Sequence, residues 1–331
     1  MSTIQFHPEY CQDPKVYVIH DNPEWLVPLF AELEKQGVPY VDWFINEGGF
    51  DLNATPPEGV FYSRVSASAH TRDHRYAVEL ASPIIDWLES HGRTVINGHQ
   101  TIALEVSKVK QYIALQKAGI KVPATYVANN RAKVVELAQH FDGQPFIVKP
   151  NRGGKGSGVQ LFQSVAALES FLSENNETES LDGLWLVQEY IQSPTSEIVR
   201  MEFINGQFYY AVAVDTSEGF ELCPADACAI GDDFCPTTPG EGQKPKFQVL
   251  DHCDNPDIPM LEAFLKAYKI DIAGIEFVKD EYGQRYVYDI NTNTNYNREA
   301  EIVAGDSRSG MRRVAEYLGN VLEEAYAVAV V

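Results

Sequence analysis

An eight-residue segment rich in glycine and cations lies near the middle of the chain: Asn151-Arg152-Gly153-Gly154-Lys155-Gly156-Ser157-Gly158. Because glycine carries no Cβ, several backbone N–H groups of such a segment can converge on one anion. Apolar runs typical of strands flank it at residues 145–150 and 159–163. A Walker loop or a dinucleotide fingerprint would lead into a helix instead. The segment therefore predicts a movable loop that covers phosphates between two antiparallel strands, with an ordinary flexible hairpin loop as the alternative.

Two segments nearer the C-terminus combine acidic and apolar residues: Gly274-Ile275-Glu276-Phe277 and Val287-Tyr288-Asp289-Ile290-Asn291. Strand periodicity puts Asp289 and Asn291 on one face, and a hairpin turn between the segments brings Glu276 to the same face. Carboxylate and amide oxygens are ligands that suit Mg²⁺. The apolar flanks indicate burial, where an unpaired carboxylate is costly. The pattern predicts a magnesium site, with the solvated polar face of a hairpin as the alternative.

A basic stretch in the first part of the chain follows a predicted strand, Arg64-Val65-Ser66-Ala67-Ser68-Ala69-His70-Thr71-Arg72-Asp73-His74-Arg75. Ligands of α/β domains bind at the carboxyl ends of strands, and arginine forks fit carboxylates bidentately. The candidate residues for binding an anionic substrate are Arg64, Ser66, His70 and Arg72, with an interdomain salt-bridge cluster as the alternative. The second candidates are Asn295, Asn297 and Arg298, with a helix cap as their alternative.

The elements that must position these residues alternate over roughly the first hundred residues. Strand patterns fall at residues 15–20, 40–45, 59–65 and 94–97. One helix should begin at Asn22-Pro23 and stop at Gly37, and a second should begin at Ser82-Pro83 and stop at Gly92. Strands that alternate with helices predict a small parallel α/β domain. No glycine-rich turn follows the first strand, which argues against a dinucleotide-binding site there.

The rest of the chain predicts short strands in hairpins, as in an α+β fold. Further strands are expected at residues 124–128 and 184–191, a tight turn at Asn205-Gly206, and a hairpin with arms at residues 272–279 and 285–290. Helices are expected from about residue 105, at residues 132–141 and at residues 310–326. The apolar face of the last helix is a candidate contact for a homodimer or a higher homo-oligomer.

Composition limits the classes of partner. The chain has 331 residues, of which 44% are hydrophobic, so it can bury a large core. Its net charge of -21 argues against nucleic acid and anionic membranes as partners. We found no signal sequence or long apolar run, and we expect a cytoplasmic protein. The four cysteines nearest one another lack paired C-x-x-C spacing, so a zinc site is a minor alternative: Cys223, Cys228, Cys235 and Cys253.

The order of these parts resembles the ATP-grasp superfamily and, within it, the RimK-type branch of glutamate-adding carboxylate–amine ligases. The resemblance covers roughly residues 97–297. It rests on the S-K pair before a helix, the V-K-P strand, the glycine loop, the V-Q-E-Y-I segment and the G-x-E-F…Y-D-I-N hairpin, in that order. The chain departs from the branch after Asn291, where Thr292-Asn293-Thr294-Asn295-Tyr296-Asn297 replaces the usual proline-glycine.

The resemblance implies roles for particular residues. The ATP-binding residues would be Lys108, Lys149, Gly153, Gly154, Lys155, Gly156, Ser157, Gly158, Gln188, Glu189, Tyr190, Ile191 and Glu197. The magnesium ligands would be Glu276, Asp289 and Asn291. Arg200 and Lys149 would be catalytic through the transferred phosphoryl group, although Arg200 stands one residue out of the D-x-R register of the glutamate ligases.

The resemblance also implies an ATP-grasp fold behind an N-terminal, Rossmann-like pre-ATP-grasp domain. We expect domains at residues 1–100, 101–185 and 186–331. The implied cofactors are ATP and Mg²⁺, expected as two ions, with Mn²⁺ as a substitute. The implied reaction joins the carboxylate of an amino acid or small peptide to an amine through an acyl phosphate. The alternatives are an ATP-grasp kinase of a small-molecule hydroxyl and a regulatory protein that binds ATP without turnover.

Overall fold

The structure is a computed structural model that describes residues 13–46, 48–154, 156–175, 180–217, 246–305 and 308–326. Three sheets follow one another along the chain, and helices pack on their faces. This arrangement confirms the predicted combination of a parallel α/β unit with α+β units. The division into domains at residues 100 and 185 stays a prediction. Lys155, Cys223, Cys228 and Cys235 lie outside the described residues.

The first sheet has four parallel strands in the order β2-β1-β3-β4. Its elements are β1 (Lys15–His20), α1 (Val27–Gln36), β2 (Tyr40–Phe44), β3 (Gly59–Arg64), α2 (Ala77–Ser90) and β4 (Thr94–Ile96), with 3-10 turns at Glu24–Leu26 and Ala69–Arg72. All six residues of β3 are buried, as expected for a strand covered by helices on both faces. The carboxyl end of β3 therefore delivers the basic stretch to one edge of the sheet.

The predicted start of α2 is wrong. The helix begins at Ala77, and Pro83 lies inside it. Proline lacks an N–H and disfavours a helix interior, which is why Ser82-Pro83 reads as a helix start in the sequence. Burial of Ala77, Val78 and Ala81 against the sheet explains why the helix extends in the N-terminal direction past the proline.

The second sheet has the order β5-β8-β6-β7 and is antiparallel throughout. Its strands are β5 (Thr125–Ala128), β6 (Phe146–Pro150), β7 (Gln160–Phe162) and β8 (Trp185–Glu189), and the neighbouring helices are α3 (His99–Glu105), α4 (Lys108–Lys117), α5 (Arg131–Ala138, followed by a 3-10 turn at Gln139–Phe141) and α6 (Val165–Glu174). The helix expected from about residue 105 is α4, which begins at Lys108 because Ser107 caps it by accepting a hydrogen bond from the N–H of Lys110. The separate helix α3, which ends at Glu105, was not predicted.

The third sheet is antiparallel and has the order β11-β10-β9-β12-β13. Its strands are β9 (Glu197–Ile204), β10 (Gln207–Asp215), β11 (Phe247–Val249), β12 (Ile272–Lys279) and β13 (Arg285–Asn291), and the last helices are α7 (Ile258–Ala267), α8 (Arg298–Ala304) and α9 (Gly310–Tyr326). Both predicted hairpins are confirmed. The sequence interpretation did not predict α3, α6, α7, α8 or β11, although the spacing of Leu261, Phe264 and Leu265 is a helix signal in α7.

The apolar face of α9 packs within the chain. Val314, Leu318 and Leu322 share a buried cluster with Leu29 and Leu33 of α1. The first part of the chain therefore covers these residues of the face, and the expected homo-oligomer stays a prediction. Among the helices of the described segments, none combines the length and the apolar character needed to cross a membrane.

Candidate functional site

A cavity of about 450 Å³ lies where parts of all three sheets meet. The glycine loop, the β12–β13 hairpin and the start of the basic stretch all contribute to its wall. The predicted site residues that line it are Ser66, Lys108, Lys149, Gly153, Gly154, Gly156, Ser157, Gln188, Glu189, Tyr190, Ile191, Arg200, Glu276, Asp289, Asn291 and Asn295. The fold thus brings residues that are more than 200 positions apart in sequence to one cavity, as Ser66 and Asn295 illustrate.

The oxygen ligands predicted for magnesium lie together on the β12–β13 hairpin. Strand pairing sets Glu276 opposite Asp289 and Gly274 opposite Asn291. The Asn291 amide nitrogen is 3.3 Å from Glu276 Oε1 and 3.4 Å from Asp289 Oδ2. A half-turn of that amide would present Oδ1 to the same place. Glu276 is buried, and Asp289 and Asn291 are half-buried. Two carboxylates and an amide in one cluster fit a divalent cation that prefers oxygen ligands.

Cations of the chain neutralise these carboxylates. Lys108 Nζ is 2.5 Å from Asp289 Oδ1, and Arg200 Nη1 is 3.0 Å from Glu276 Oε1. Burial raises the pKa of Glu276, against the opposing effect of Arg200. Burial alone would also raise the pKa of Asp289, but the charges of Lys108, Lys149 and Arg200 outweigh it and lower that pKa. Asp289 is therefore held ionised, as a metal ligand must be.

Lys149 lies on β6 with its ammonium buried beside Tyr112, whose hydroxyl is 2.7 Å from Nζ. Burial is the main reason that its pKa falls to about 7, and the charge of Lys108 acts in the same direction. Asp289 and Glu276 partly oppose this shift. An anion that enters the cavity would restore the charge of Lys149, since opposite charges favour the ionised form.

Arg200 is fixed by three partners. Its Nε donates to Glu202 Oε1 at 2.6 Å, Nη1 donates to Glu276, and Nη2 donates to the Thr294 hydroxyl. The guanidinium lies over Gly274 of the neighbouring strand, where a Cβ would stand 2.6 Å from Nη2. Burial acts to lower the pKa of Arg200, but Glu202 and Glu276 raise it, so the arginine stays charged.

The glycine loop connects β6 and β7, which pair antiparallel as predicted. Gly156 and Gly158 have φ near +75°, a conformation that residues with a Cβ rarely adopt. A Cβ on Gly158 would stand 3.1 Å from Pro150 Cδ, and one on Gly154 would stand 3.1 Å from Ser68 Cβ. The loop therefore depends on glycine both for its turn and for its close approach to the first part of the chain.

The predicted ATP-binding segment Gln188-Glu189-Tyr190-Ile191, which connects β8 to β9, also reaches the cavity. Gln188 lies on β8 and donates to the Thr125 hydroxyl at 2.7 Å, while Tyr190 and Ile191 follow the strand and line the wall. Glu197 begins β9, directly after Ser196, which lines the cavity with a positive φ of 52°. This connector therefore lies along the cavity wall, between β8 of the second sheet and β9 of the third.

The predicted substrate arginines bind internal partners. Arg64 is only 1% exposed and donates to the Thr294 carbonyl and, at 2.7 Å, to Asn295 Oδ1. Arg72 pairs with Asp21 at 2.6 Å. Neither arginine belongs to the cavity wall, so the structure favours the internal-cluster alternative for both.

The remaining substrate candidates separate in the same way. The His70 ring lies 3.3 Å from the Ala67 carbonyl and does not line the cavity. Asn297 caps α8 by accepting from the N–H of Ala300 at 2.8 Å, which is the alternative weighed for it. Arg298 lies in a separate surface pocket. Ser66 and Asn295 are the predicted substrate residues that the fold brings to the wall.

Glu105 belongs to the site and was not predicted. It lines the cavity, and its carboxylate accepts from the N–H of Ala67 at 3.2 Å and from the N–H and hydroxyl of Thr292 at 2.8 Å each. Burial raises its pKa, although these hydrogen bonds oppose the shift. It thereby ties the basic stretch to the segment that follows the hairpin. No local pattern marks a glutamate at the end of a helix for such a role.

Comparison with known proteins agrees with this geometry. Residues 106–220 match the family model of the RimK-like ATP-grasp domain. A probable alpha-L-glutamate ligase of Desulfotalea psychrophila is 30% identical over 131 residues, which are 40% of this chain and 28% of that protein. The chain therefore matches less than a third of the length of that relative.

Solved structures show the same fold over nearly the whole chain. The RimK domain ATP-grasp protein of Sphaerobacter thermophilus superposes with a TM-score of 0.62 at 16% identity, covering 92% of this chain and 98% of that one. The ATP-grasp ligase PsnB, in a complex with a precursor variant, Mg and ADP, superposes with a TM-score of 0.60 at 17% identity, covering 92% and 98%. The chain therefore has an ATP-grasp fold, and its residues 106–220 match the RimK-like ATP-grasp domain.

Proposed function

We propose that the protein is an ATP- and Mg²⁺-dependent ligase that joins a carboxylate to an amine through an acyl phosphate. The substrates would be amino acids or small peptides. The observation that carries the proposal is one cavity in which the paired carboxylates Glu276 and Asp289 face three cations, Lys108, Lys149 and Arg200. The glycine loop forms another part of the same wall.

Glu276, Asp289 and Asn291 would hold the metal, with two ions expected. Bound Mg²⁺ supplies positive charge for the terminal phosphates and orients them. Lys108 and Arg200 neutralise the carboxylates of Asp289 and Glu276, at 2.5 Å and 3.0 Å. When a metal binds these carboxylates, the two cations become available to phosphate oxygens. The loop amides near Gly153–Gly158 would cover the phosphates and keep water from the reacting group.

The reaction follows from this charge distribution. A substrate carboxylate oxygen attacks the γ-phosphorus, the bond to the β-phosphate oxygen breaks, and ADP leaves. A neutral amine then attacks the acyl carbon, loses a proton, and expels inorganic phosphate. Both steps depend on positioning and on charge stabilisation. Names of similar proteins support this class, since they include glutamate ligases, a D-cycloserine synthetase and a D-alanyl-alanine synthetase.

ADP release by the purified protein tests the proposal. A matrix of amino acids and small peptides would be offered as carboxylate and amine partners, with and without Mg²⁺, and ATP binding would be measured in parallel. We expect release only when a carboxylate, an amine and the metal are all present. Release with a hydroxyl compound alone would indicate a kinase, and tight ATP binding with no release for any pair would indicate a regulatory protein. Either result would contradict the proposal.

A further inference from the structure

Two residues that do not line the cavity, Glu202 and Thr294, accept hydrogen bonds from Arg200. Glu202 lies two positions further along β9, so both side chains point to the same face of the strand. Thr294 lies in the segment after β13 and is fully buried. Arg200 itself is part of the cavity wall. The two residues thus stand on the protein side of the guanidinium, away from the place proposed for phosphate.

The Thr294 hydroxyl joins the two charged groups. Its oxygen accepts from Arg200 Nη2, and its proton is donated to Glu202 Oε2 at 2.8 Å. The other oxygen of Glu202 accepts from Arg200 Nε at 2.6 Å. Glu202 and Thr294 therefore form a closed ring of hydrogen bonds with one edge of the guanidinium. Such a ring fixes the rotation of the planar group as well as its place.

The third contact of Arg200 is of a different kind. Nη1 donates to Glu276 Oε1 at 3.0 Å, and Glu276 is a proposed metal ligand. A bound metal would take Glu276 Oε1 as a ligand. The hydrogen bond from Nη1 is therefore the contact that Arg200 can replace with a bond to a phosphate oxygen. The contacts to Glu202 and Thr294 need not change during the exchange. The arginine would then present Nη1 to the γ-phosphate in a preset orientation, which reduces the reorganisation that the reaction requires.

The backbone of Thr294 is held as well. Its carbonyl accepts from Arg64 Nη1, and Arg64 belongs to β3 of the first sheet. The next residue, Asn295, accepts from the same guanidinium at 2.7 Å. Thr294 is therefore hydrogen-bonded both to β3 of the first sheet and to β9 of the third.

We propose that Thr294 and Glu202 are positioning residues that orient Arg200 toward the terminal phosphate of ATP. Thr294 belongs to the segment that follows β13, so this segment supplies a hydroxyl to the arginine. The inference rests on the proposed function, because it assumes that Arg200 contacts the γ-phosphate.

The test compares the affinities of AMPPNP and ADP, each with Mg²⁺, since their ratio reports the contact with the terminal phosphate. Isothermal titration would be run on wild type, Thr294→Val, Thr294→Ser and Arg200→Met. Valine keeps the shape of threonine without its hydroxyl, whereas serine keeps the hydroxyl. Thr101→Val is the matched control: Thr101 is 1% exposed and its hydroxyl donates to the Lys269 carbonyl at 3.1 Å, away from the cavity.

We expect Thr294→Val to lower the preference for AMPPNP over ADP at least five-fold while the ADP affinity changes less than two-fold. Thr294→Ser should restore most of the preference, and Thr101→Val should leave it unchanged even if its melting temperature falls. An unchanged ratio in Thr294→Val, together with a lowered ratio in Arg200→Met, would overturn the inference alone. An unchanged ratio in Arg200→Met would contradict the role of Arg200 in the proposed function, and the inference with it.

Discussion

Lys149 shows at the residue scale how the surroundings of one side chain set its charge. Burial and Lys108 lower its pKa to about 7, so the side chain is largely neutral above that pH. The unfolded chain would keep the proton up to a pH of about 10.4. Because the unfolded state binds more protons between these values, this residue makes the free energy of unfolding rise with pH there. Binding of a phosphate group beside Lys149 should raise its pKa again, because a nearby anion favours the charged form.

Proton uptake on binding of Mg·ADP measures that reversal. At pH 8 the wild type should take up about 0.9 proton more than Lys149→Met, since a group with a pKa of about 7 is about nine-tenths deprotonated there. At pH 6 the difference should shrink to about 0.1 proton. Calorimetry in buffers of different ionisation enthalpy gives these numbers. Equal uptake by both proteins at pH 8 would contradict this reversal of the pKa shift.

Of the two carboxylates in the proposed metal site, Asp289 is the one whose pKa is lowered. Asp289→Asn should raise the Mg²⁺ concentration needed for half-maximal AMPPNP binding at least ten-fold, because an amide lacks the charge that a divalent cation requires. Titration of the metal at fixed nucleotide measures this. Asp257→Asn is the matched control, since Asp257 also pairs with a cation, Arg285 at 2.6 Å, at the far end of β13. Similar metal curves for the two variants would contradict the assigned ligand.

Strand β12 shows at the element scale how pairing builds the site. Its register with β9 sets Glu276 opposite Arg200 and Gly274 opposite Glu202. The guanidinium therefore crosses the backbone of β12 at Gly274, and the missing Cβ leaves room for it.

Gly274→Ala should displace Arg200 and lower the turnover rate about 100-fold or more, on the scale of losing one charge-stabilising contact in a transition state. ADP release under saturating substrates would measure the change. Gly283→Ala is the control in the same hairpin: its φ is +78° and a Cβ there would meet nothing within 4 Å. It should cost about 1 kcal/mol of stability and leave turnover intact. Equal turnover in both variants would contradict this account of Arg200.

The elements of the site were largely predictable from local patterns. Glycine placement and strand periodicity gave the loop between β6 and β7 and the β12–β13 hairpin. The partners of Arg64 were not predictable, because Thr294 and Asn295 lie 230 or more positions away and only the fold brings them together. Local charge counting therefore could not show that Arg64 is buried and has internal partners.

Asn97 links the first sheet to the third at the scale of the whole molecule. Its side chain donates to the carbonyls of Ile272 and Thr292 and accepts from the N–H groups of Asp271 and Ile272. It is 1% exposed and has a φ of +53°. All four hydrogen bonds of the Asn97 side-chain amide therefore join it to residues that are distant in sequence.

Asn97→Ala should lower the free energy of unfolding by about 3 kcal/mol or more, because several buried groups lose their partners. Asn97→Gly loses the same hydrogen bonds but tolerates the positive φ, so it should be about 1 kcal/mol less destabilised. Denaturant titration gives both values. A loss below 1 kcal/mol in Asn97→Ala would mean that the sheets are joined mainly by other contacts.

The whole molecule carries a net charge of -21 yet gathers cations around one cavity. Composition predicted the acidic surface, and the resemblance indicated where the cations belong. The packing of α9 on α1 could not be predicted from the sequence, because an apolar helix face looks the same whether it is covered by its own chain or by a second one.

Diffraction from crystals grown with AMPPNP and Mn²⁺, with anomalous data collected for manganese, tests the central claim most directly. The account predicts an anomalous peak ligated by Glu276, Asp289 and Asn291, with the triphosphate between that metal and the loop at Gly153–Gly158. A triphosphate bound elsewhere, or manganese held without Asp289, would contradict it.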